Sequence, residues 1–288
     1  MKSSVVFPYN EIGNDTYMLT DFIQSVEEMG YDCLNIPVLD LGAASNPFGS
    51  ILEGFSIQPP RQEIFKLIDF LADLPTSLEI AAGILNLPQH PTVLVAEQTA
   101  EIDVMLNGRL RIGAGFAETD PEIQTQGYDF IYRGNQMEEQ ISLLRELWVN
   151  PLVTYHGKYH AVDEIGIGPM PVQRPIPIWL VGDAEDDIRR VANLGDGWLF
   201  RRPFPDESKS QFEILHNCLE DAGRSLDGFG IDVRVNLSNH HCRSWPELVE
   251  GWQSLGVTYI GVNTIGSEYK SMNERIDAIR MFKDETGL

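Results

Sequence analysis

Several side chains in this sequence sit where they could do chemistry. His90, in Gln89-His-Pro91, follows the apolar run Leu78–Ala82. Near neutral pH an imidazole is the side chain best suited to passing a proton, although a single loop histidine also serves structure. Arg201 and Arg202 follow another apolar run, Trp198–Phe200. Paired guanidiniums clamp phosphate or carboxylate, or lie solvated at a surface. Gly113-Ala-Gly115 ends a third run, and residues without side chains let a planar ring approach the backbone closely. His240, His241 and Cys242 stand side by side. Zinc ligands usually stand two to four residues apart, so no metal site is expected there.

The elements that must position these groups alternate along the chain. Strands are expected at Val5–Phe7, Cys33–Ile36, Leu78–Ala82, Leu110–Ile112, Ile178–Val181, Trp198–Phe200, Ile231–Val235 and Tyr259–Val262. Helical patterns follow them at Thr16–Met29, Arg61–Leu74, Val93–Met105, Gly134–Trp148, Glu185–Leu194, Ser208–Ala222, Trp245–Leu255 and Glu268–Glu285. Eight strand–helix units in 288 residues is the arithmetic of an α/β (β/α)8 barrel, here one domain over 1–288. A doubly wound sheet is the alternative, but no strand-linked Gly-x-Gly-x-x-Gly stands near the start. In a barrel the candidate residues would share the rim at the carboxyl ends of the strands. Two connections are long, Val38–Pro60 and Pro151–Pro177, with a hairpin-like Tyr155–Tyr159 inside the second. Asn107-Gly108 reads as a turn and Gly195 as a helix cap.

Composition narrows the partners. Twenty-one Lys plus Arg against 43 Asp plus Glu gives a net charge of −22, which repels nucleic-acid phosphates and anionic lipid headgroups. Nucleic acid and membrane are therefore not expected partners. Three scattered cysteines, Cys33, Cys218 and Cys242, suit a reduced cytoplasmic protein. The expected location is accordingly the cytoplasm, and no segment approaches the ~20 apolar residues that span a bilayer.

The order and spacing of several segments carry a resemblance. They are Leu110-Arg-Ile-Gly-Ala-Gly115, Gly127-Tyr-Asp-Phe-Ile-Tyr-Arg-Gly134, Met137–Trp148, Tyr155-His-Gly-Lys-Tyr159, Pro171–Trp179 and Arg189–Trp198. Over roughly residues 16–200 the chain resembles the bacterial luciferase-like family of flavin- and deazaflavin-dependent oxidoreductases. The resemblance implies a TIM barrel, reduced FMN or coenzyme F420 as cofactor, a small-molecule substrate as partner, and a possible homodimer. It places a non-prolyl cis peptide at Gly83-Ile84, with the cofactor ring over that bulge and against Gly113–Gly115. It matches His90-Pro91 to a His-Pro of the luciferases, and it puts Gly182 at the start of a helix whose N-terminus would meet the cofactor phosphate.

The sequence also departs from the family pattern. Val38-Leu39 replaces a pair ending in histidine, which leaves Asp40 as the substitute for proton transfer or as a turn residue. Phe116 replaces a phosphate-contacting arginine. Asp183, Glu185, Asp186 and Asp187 crowd the turn after Gly182, where they would cap the helix and repel a phosphate. Arg201, Arg202 and Arg243 would then hold the phosphate or tail instead. Three readings follow: a luciferase-like oxidoreductase or monooxygenase acting on a small organic substrate, a divergent barrel that binds a ligand without redox chemistry, or a repurposed enzyme acting through His90, Asp40 or the Asn236–Arg243 loop.

Overall fold

The computed structural model describes residues 1–8, 16–37, 76–116, 132–237 and 244–288, with residues 68, 71, 72 and 74. Its strands are β1 (Lys2–Val6), β2 (Cys33–Ile36), β3 (Glu79–Asn86), β4 (Leu110–Gly115), β5 (Val153–His156), β6 (Ala161–Ile165), β7 (Ile178–Val181), β8 (Gly197–Phe200), β9 (Gly230–Asn236) and β10 (Tyr259–Asn263). Its helices are α1 (Thr16–Glu28), α2 (Thr92–Met105), α3 (Arg133–Val149), α4 (Glu185–Leu194), α5 (Lys209–Asp221), α6 (Trp245–Ser254) and α7 (Met272–Thr286), and a 3-10 turn spans Leu87–Gln89. Of the helix expected at 61–74, residues 68, 71 and 72 are described and helical.

Eight strands close into a barrel in the order β1-β10-β9-β8-β7-β4-β3-β2, and β5 and β6 stand apart as a separate pair. Every barrel pairing is parallel. This is the expected (β/α)8 architecture, and it excludes the doubly wound alternative because the sheet has no edge. No described helix is long and apolar enough to cross a membrane.

Alternation along each strand divides the core. Val5, Leu34, Ile80, Ile112, Ile178, Trp198, Val233 and Ile260 face outward and pack with the helices into the main apolar cluster. Cys33, Ala81, Trp179, Leu199 and Tyr259 form a second cluster within the barrel, joined by Ile84 and Val181. Other inner positions hold Lys2, Ser4, Asn35, Glu79, Arg111, Asp232 and Arg234, with glycine at 83, 113, 115, 197 and 230, so the lumen mixes charge with bare backbone positions. That pattern explains why β3, β4 and β9 outrun the apolar stretches that announced them. An inward strand position needs a residue that fits the lumen, and glycine or a charged side chain meets that need.

Local chemistry sets the other boundaries. α7 starts at Met272 rather than Glu268 because the Ser271 hydroxyl accepts a hydrogen bond from the Glu274 amide, 3.3 Å, and so caps the helix. Gly195 does end α4, but with φ −74 it is not a left-handed cap. A Cβ there would stand 2.8 Å from the Val191 carbonyl oxygen and 2.9 Å from that of Gly197, so space dictates the glycine. Asn107 and Gly108 do take positive φ, 52 and 75, in the turn before β4. The long Pro151–Pro177 connection is built around the antiparallel β5–β6 pair. Glu139 of α3 secures its turn by accepting the amides of Lys158, Tyr159 and His160 at 2.7, 2.8 and 2.6 Å.

The indole of Trp179 lies across two glycines in the lower lumen, Gly197 and Gly230, and a Cβ there would come within 2.4 and 1.9 Å of its ring atoms. Gly230→Ala is expected to destabilise the protein by about 1–3 kcal/mol, through overpacking against a side chain that cannot retreat. Urea unfolding reads this as a lower midpoint with an unchanged slope, and a wild-type midpoint would show that the indole does not occupy that space.

Candidate functional site at the carboxyl end of the barrel

β3 and β4 approach each other closely because both present glycine to the lumen. A Cβ on Gly83 would lie 2.6 Å from the Gly113 Cα, and one on Gly113 would lie 3.3 Å from the Gly83 Cα and 2.8 Å from Leu199 Cδ1. One on Gly115 would lie 2.6 Å from Val181 Cγ1 and 3.1 Å from Ile84 Cγ2. The register between the strands shifts between Ala82 and Leu85, and the Gly83–Ile84 peptide is cis. The result is a bulged, glycine-lined seat, buried and closely walled by Ile84, Val181 and Leu199. Its apolar flanks suit one side of a planar ring.

The turn after β7 has a different character. The Gly182 carbonyl accepts the Trp198 indole N–H at 2.8 Å. Glu185, Asp186 and Asp187 fill the first turn of α4, but none of them caps it; the cap position is Ala184 and makes no side-chain hydrogen bond. The carboxylates find cations instead. Asp187 bonds Arg190 Nη1 at 3.0 Å, and Arg190 Nε reaches Glu138 at 2.8 Å. Asp183 lies 3.8 Å from Arg201 Nε. The helix terminus is therefore already supplied with negative charge and is a poor seat for a phosphate. Nearby, the Phe116 ring lies between two guanidiniums, Arg133 at 4.8 Å and Arg190 at 5.3 Å. Positive charge thus remains around Phe116, supplied by α3 and α4.

The expected site residues fall in different places. Gly83, Ile84, Gly113 and Gly115 come together in the seat. Gly182 and Arg201 stand at the neighbouring rim, and Arg202 is exposed. His90 closes the 3-10 turn, its amide donating to the Leu87 carbonyl at 2.9 Å, while the Gln140 side-chain amide of α3 donates to the His90 carbonyl at 2.9 Å. Its backbone is thus anchored in the seam between β3 and α3. Asp40, Arg243 and the His240-His241-Cys242 run lie outside the described residues, as do Phe48 and Phe55.

Beneath the seat lies a charge cluster that was not anticipated from the sequence. The buried Arg111 guanidinium approaches Glu79 at 3.0 Å and Asp232 at 3.3 Å, and stacks on the Trp179 and Tyr259 rings at 3.8 and 4.5 Å from their centroids. The Tyr259 hydroxyl donates to Glu79 at 2.6 Å and accepts from Lys2 Nζ at 3.0 Å. Burial pushes the Cys33 thiol up to about 12, although Arg111 at 3.5 Å opposes the shift. Burial likewise raises the Asp232 carboxyl, with Arg111 and Arg234 pulling against it. Sequence did carry a signal for this cluster. Arg111 interrupts Leu110–Ile112, and Asp232 and Arg234 alternate with Ile231, Val233 and Val235, as lumen-facing charges in a barrel strand must.

With this geometry, the likeness to known proteins can be placed. The family model of the luciferase-like monooxygenases matches residues 19–244. The chain belongs to that family. An uncharacterized protein of Mycobacterium tuberculosis is 26% identical over 296 aligned residues, 96% of this chain and 97% of the relative. Among solved structures, the long-chain alkane monooxygenase LadA superposes with a TM-score of 0.79 at 12% identity, covering 100% of this chain and 92% of that one. An F420-dependent secondary alcohol dehydrogenase in complex with an F420-acetone adduct gives 0.77 at 14% identity, covering 99% and 98%. At such identities the two superpositions are likenesses of fold, and the luciferase-like barrel is the fold they share with this chain.

Two outcomes are expected of the charge cluster. Arg111→Met strands Asp232 in the lumen and should destabilise the protein by about 3–5 kcal/mol, and Arg111→Met/Asp232→Leu should recover most of that loss. Urea unfolding of the two variants checks it; equal losses in both would remove the ion pair from the account. Cys33 should resist iodoacetamide at pH 8 in the folded protein and react in urea, as peptide mass mapping would report.

Proposed function

We propose that this luciferase-like protein is an oxidoreductase that uses reduced FMN or coenzyme F420 on a small organic substrate. The observation that carries this reading is the seat of Gly83, Gly113 and Gly115, where a Cβ at any of the three would meet a neighbouring strand or an apolar wall at 3.3 Å or less. Such a cradle accepts a flat ring system and excludes side chains from beneath it. Family membership and the F420-acetone adduct of the superposable dehydrogenase support the same reading.

When bound, either cofactor supplies hydride or oxygen chemistry that no side chain provides. The contribution of this chain is to bind, orient and exclude water. Gly83, Gly113 and Gly115 would hold the ring, with Ile84, Val181 and Leu199 keeping its edge dry. Gly182 does not suit a phosphate, given the carboxylates that follow it. Arg202 and Arg243, which follow β8 and β9 in the sequence, are the cations we assign to the phosphate end. For proton transfer we assign His90, at the end of the 3-10 turn after β3, and Asp40, which follows β2 in the sequence.

Anaerobic fluorescence titration with FMN, reduced FMN and F420 tests this reading. Micromolar binding of one cofactor is expected, and Gly115→Val should weaken it at least tenfold by filling the seat. Absence of binding by all three at hundreds of micromolar would overturn the redox reading in favour of a barrel that binds another ligand. Equal affinity in Gly115→Val would move the ring elsewhere.

A further inference from the structure

A second group of charges stands above the first inside the barrel. Arg234 follows Asp232 by two positions on β9, so both enter the lumen, and Arg234 is the nearer to the carboxyl end. The pairing of Phe200 with Val233 brings Arg201 to the same level on the adjacent strand. β9 is four strands from β3 in either direction around the closed order, so Arg234 faces the glycine seat across the mouth. Arg234 is partly exposed and does not line the cavity of about 540 Å³ at the amino end of the barrel.

The charge of Arg234 is poorly matched by what surrounds it. Burial lowers its pKa, and Arg111 and Arg201 lower it further; Asp232 and Cys33 oppose them. Asp232 lies 3.3 Å from Arg111, and Asp183 stands against Arg201. No described residue forms a salt bridge with Arg234. Two guanidiniums at one level repel each other unless an anion lies between them, and their planar forks match an oxyanion in a bidentate manner. Between this pair and the seat stand Leu199 and Val181, both apolar. The arrangement is notable in a chain of net charge −22, whose overall field discourages anions.

We infer that Arg234, with Arg201 beside it, anchors an oxyanion group of the substrate, which is therefore an organic acid whose apolar body lies over the glycine seat. The inference rests on reading the mouth as the active site. It divides the barrel into a ring-binding half at β3 and β4 and an acid-binding half at β8 and β9. A cofactor phosphate has the same chemistry as a substrate oxyanion, so the test must separate them.

Benzoate and its uncharged isostere benzamide are the probes, titrated calorimetrically at constant ionic strength into wild type, Arg234→Met and Arg234→Lys, with the cofactor titration run in parallel. Benzoate should bind one to one, and benzamide at least tenfold more weakly. Arg234→Met should weaken benzoate at least tenfold and Arg234→Lys by less, with cofactor affinity and melting midpoint unchanged. No benzoate binding, equal binding of benzamide, or wild-type benzoate affinity in Arg234→Met would each overturn the inference. So would a loss of cofactor affinity alone, which would give the guanidinium to the cofactor phosphate. If Arg234→Met melts early, Arg201→Gln takes its place; a threefold or greater loss of benzoate affinity supports the pair, and no loss overturns it. Arg234-dependent benzoate binding in a protein that takes up no cofactor would remove the redox reading and leave the acid site standing.

Discussion

The guanidinium of Arg111 is the fixed point of the lumen. It lies against the faces of Trp179 and Tyr259 and within 3.3 Å of two carboxylates. A buried cation survives only when its partners replace water on every side. Each replacement recruits another strand: β3 contributes Glu79, β7 Trp179, β9 Asp232 and β10 Tyr259, with Lys2 of β1 bound to the phenol. Gly197 and Gly230 are glycines because the indole must lie flat beneath that charge. The amino end of the barrel is thus occupied by a network in which few members can change alone.

Above it the same residue type serves another purpose. At the floor glycine admits a bulky indole, whereas Gly83 and Gly113 let two strands close on each other and Gly113 and Gly115 let the apolar side chains of Leu199, Val181 and Ile84 lie against the backbone. A lumen packed to the top would have no room for chemistry, and one empty to the bottom would not hold its strands apart. The vertical division, charged below and apolar around the glycines above, sets the reading of function at the carboxyl face, where such barrels place it.

The architecture was legible because outward-facing strand positions are apolar and the helices between them keep their period. The cis peptide at Gly83-Ile84 was legible through the family pattern, and the close approach of β3 and β4 through Gly113-Ala-Gly115. The acidic turn was expected to cap α4, but its carboxylates do not; Asp187 pairs with Arg190 one helical turn on and Asp183 with Arg201, which lies beyond β8. The lumen charges escaped notice for a related reason. Arg111 and Asp232 are 121 positions apart, and each looks like an isolated polar interruption until closure of the sheet brings them together.

The seam between β1 and β10 has a bearing on how the molecule comes into being. Lys2 stands opposite Tyr259 there, and Lys283 of α7 donates to the Ser3 hydroxyl at 2.6 Å and the Gly30 carbonyl at 2.9 Å. During synthesis the first strand therefore waits for nearly the whole chain before its second neighbour exists. Until β10 arrives, Arg111 lacks one of its two rings and the growing sheet keeps two open edges, the form of β-structure most apt to join with other chains. Closure is then a single late event that seals the edge and completes the cage around the buried cation together.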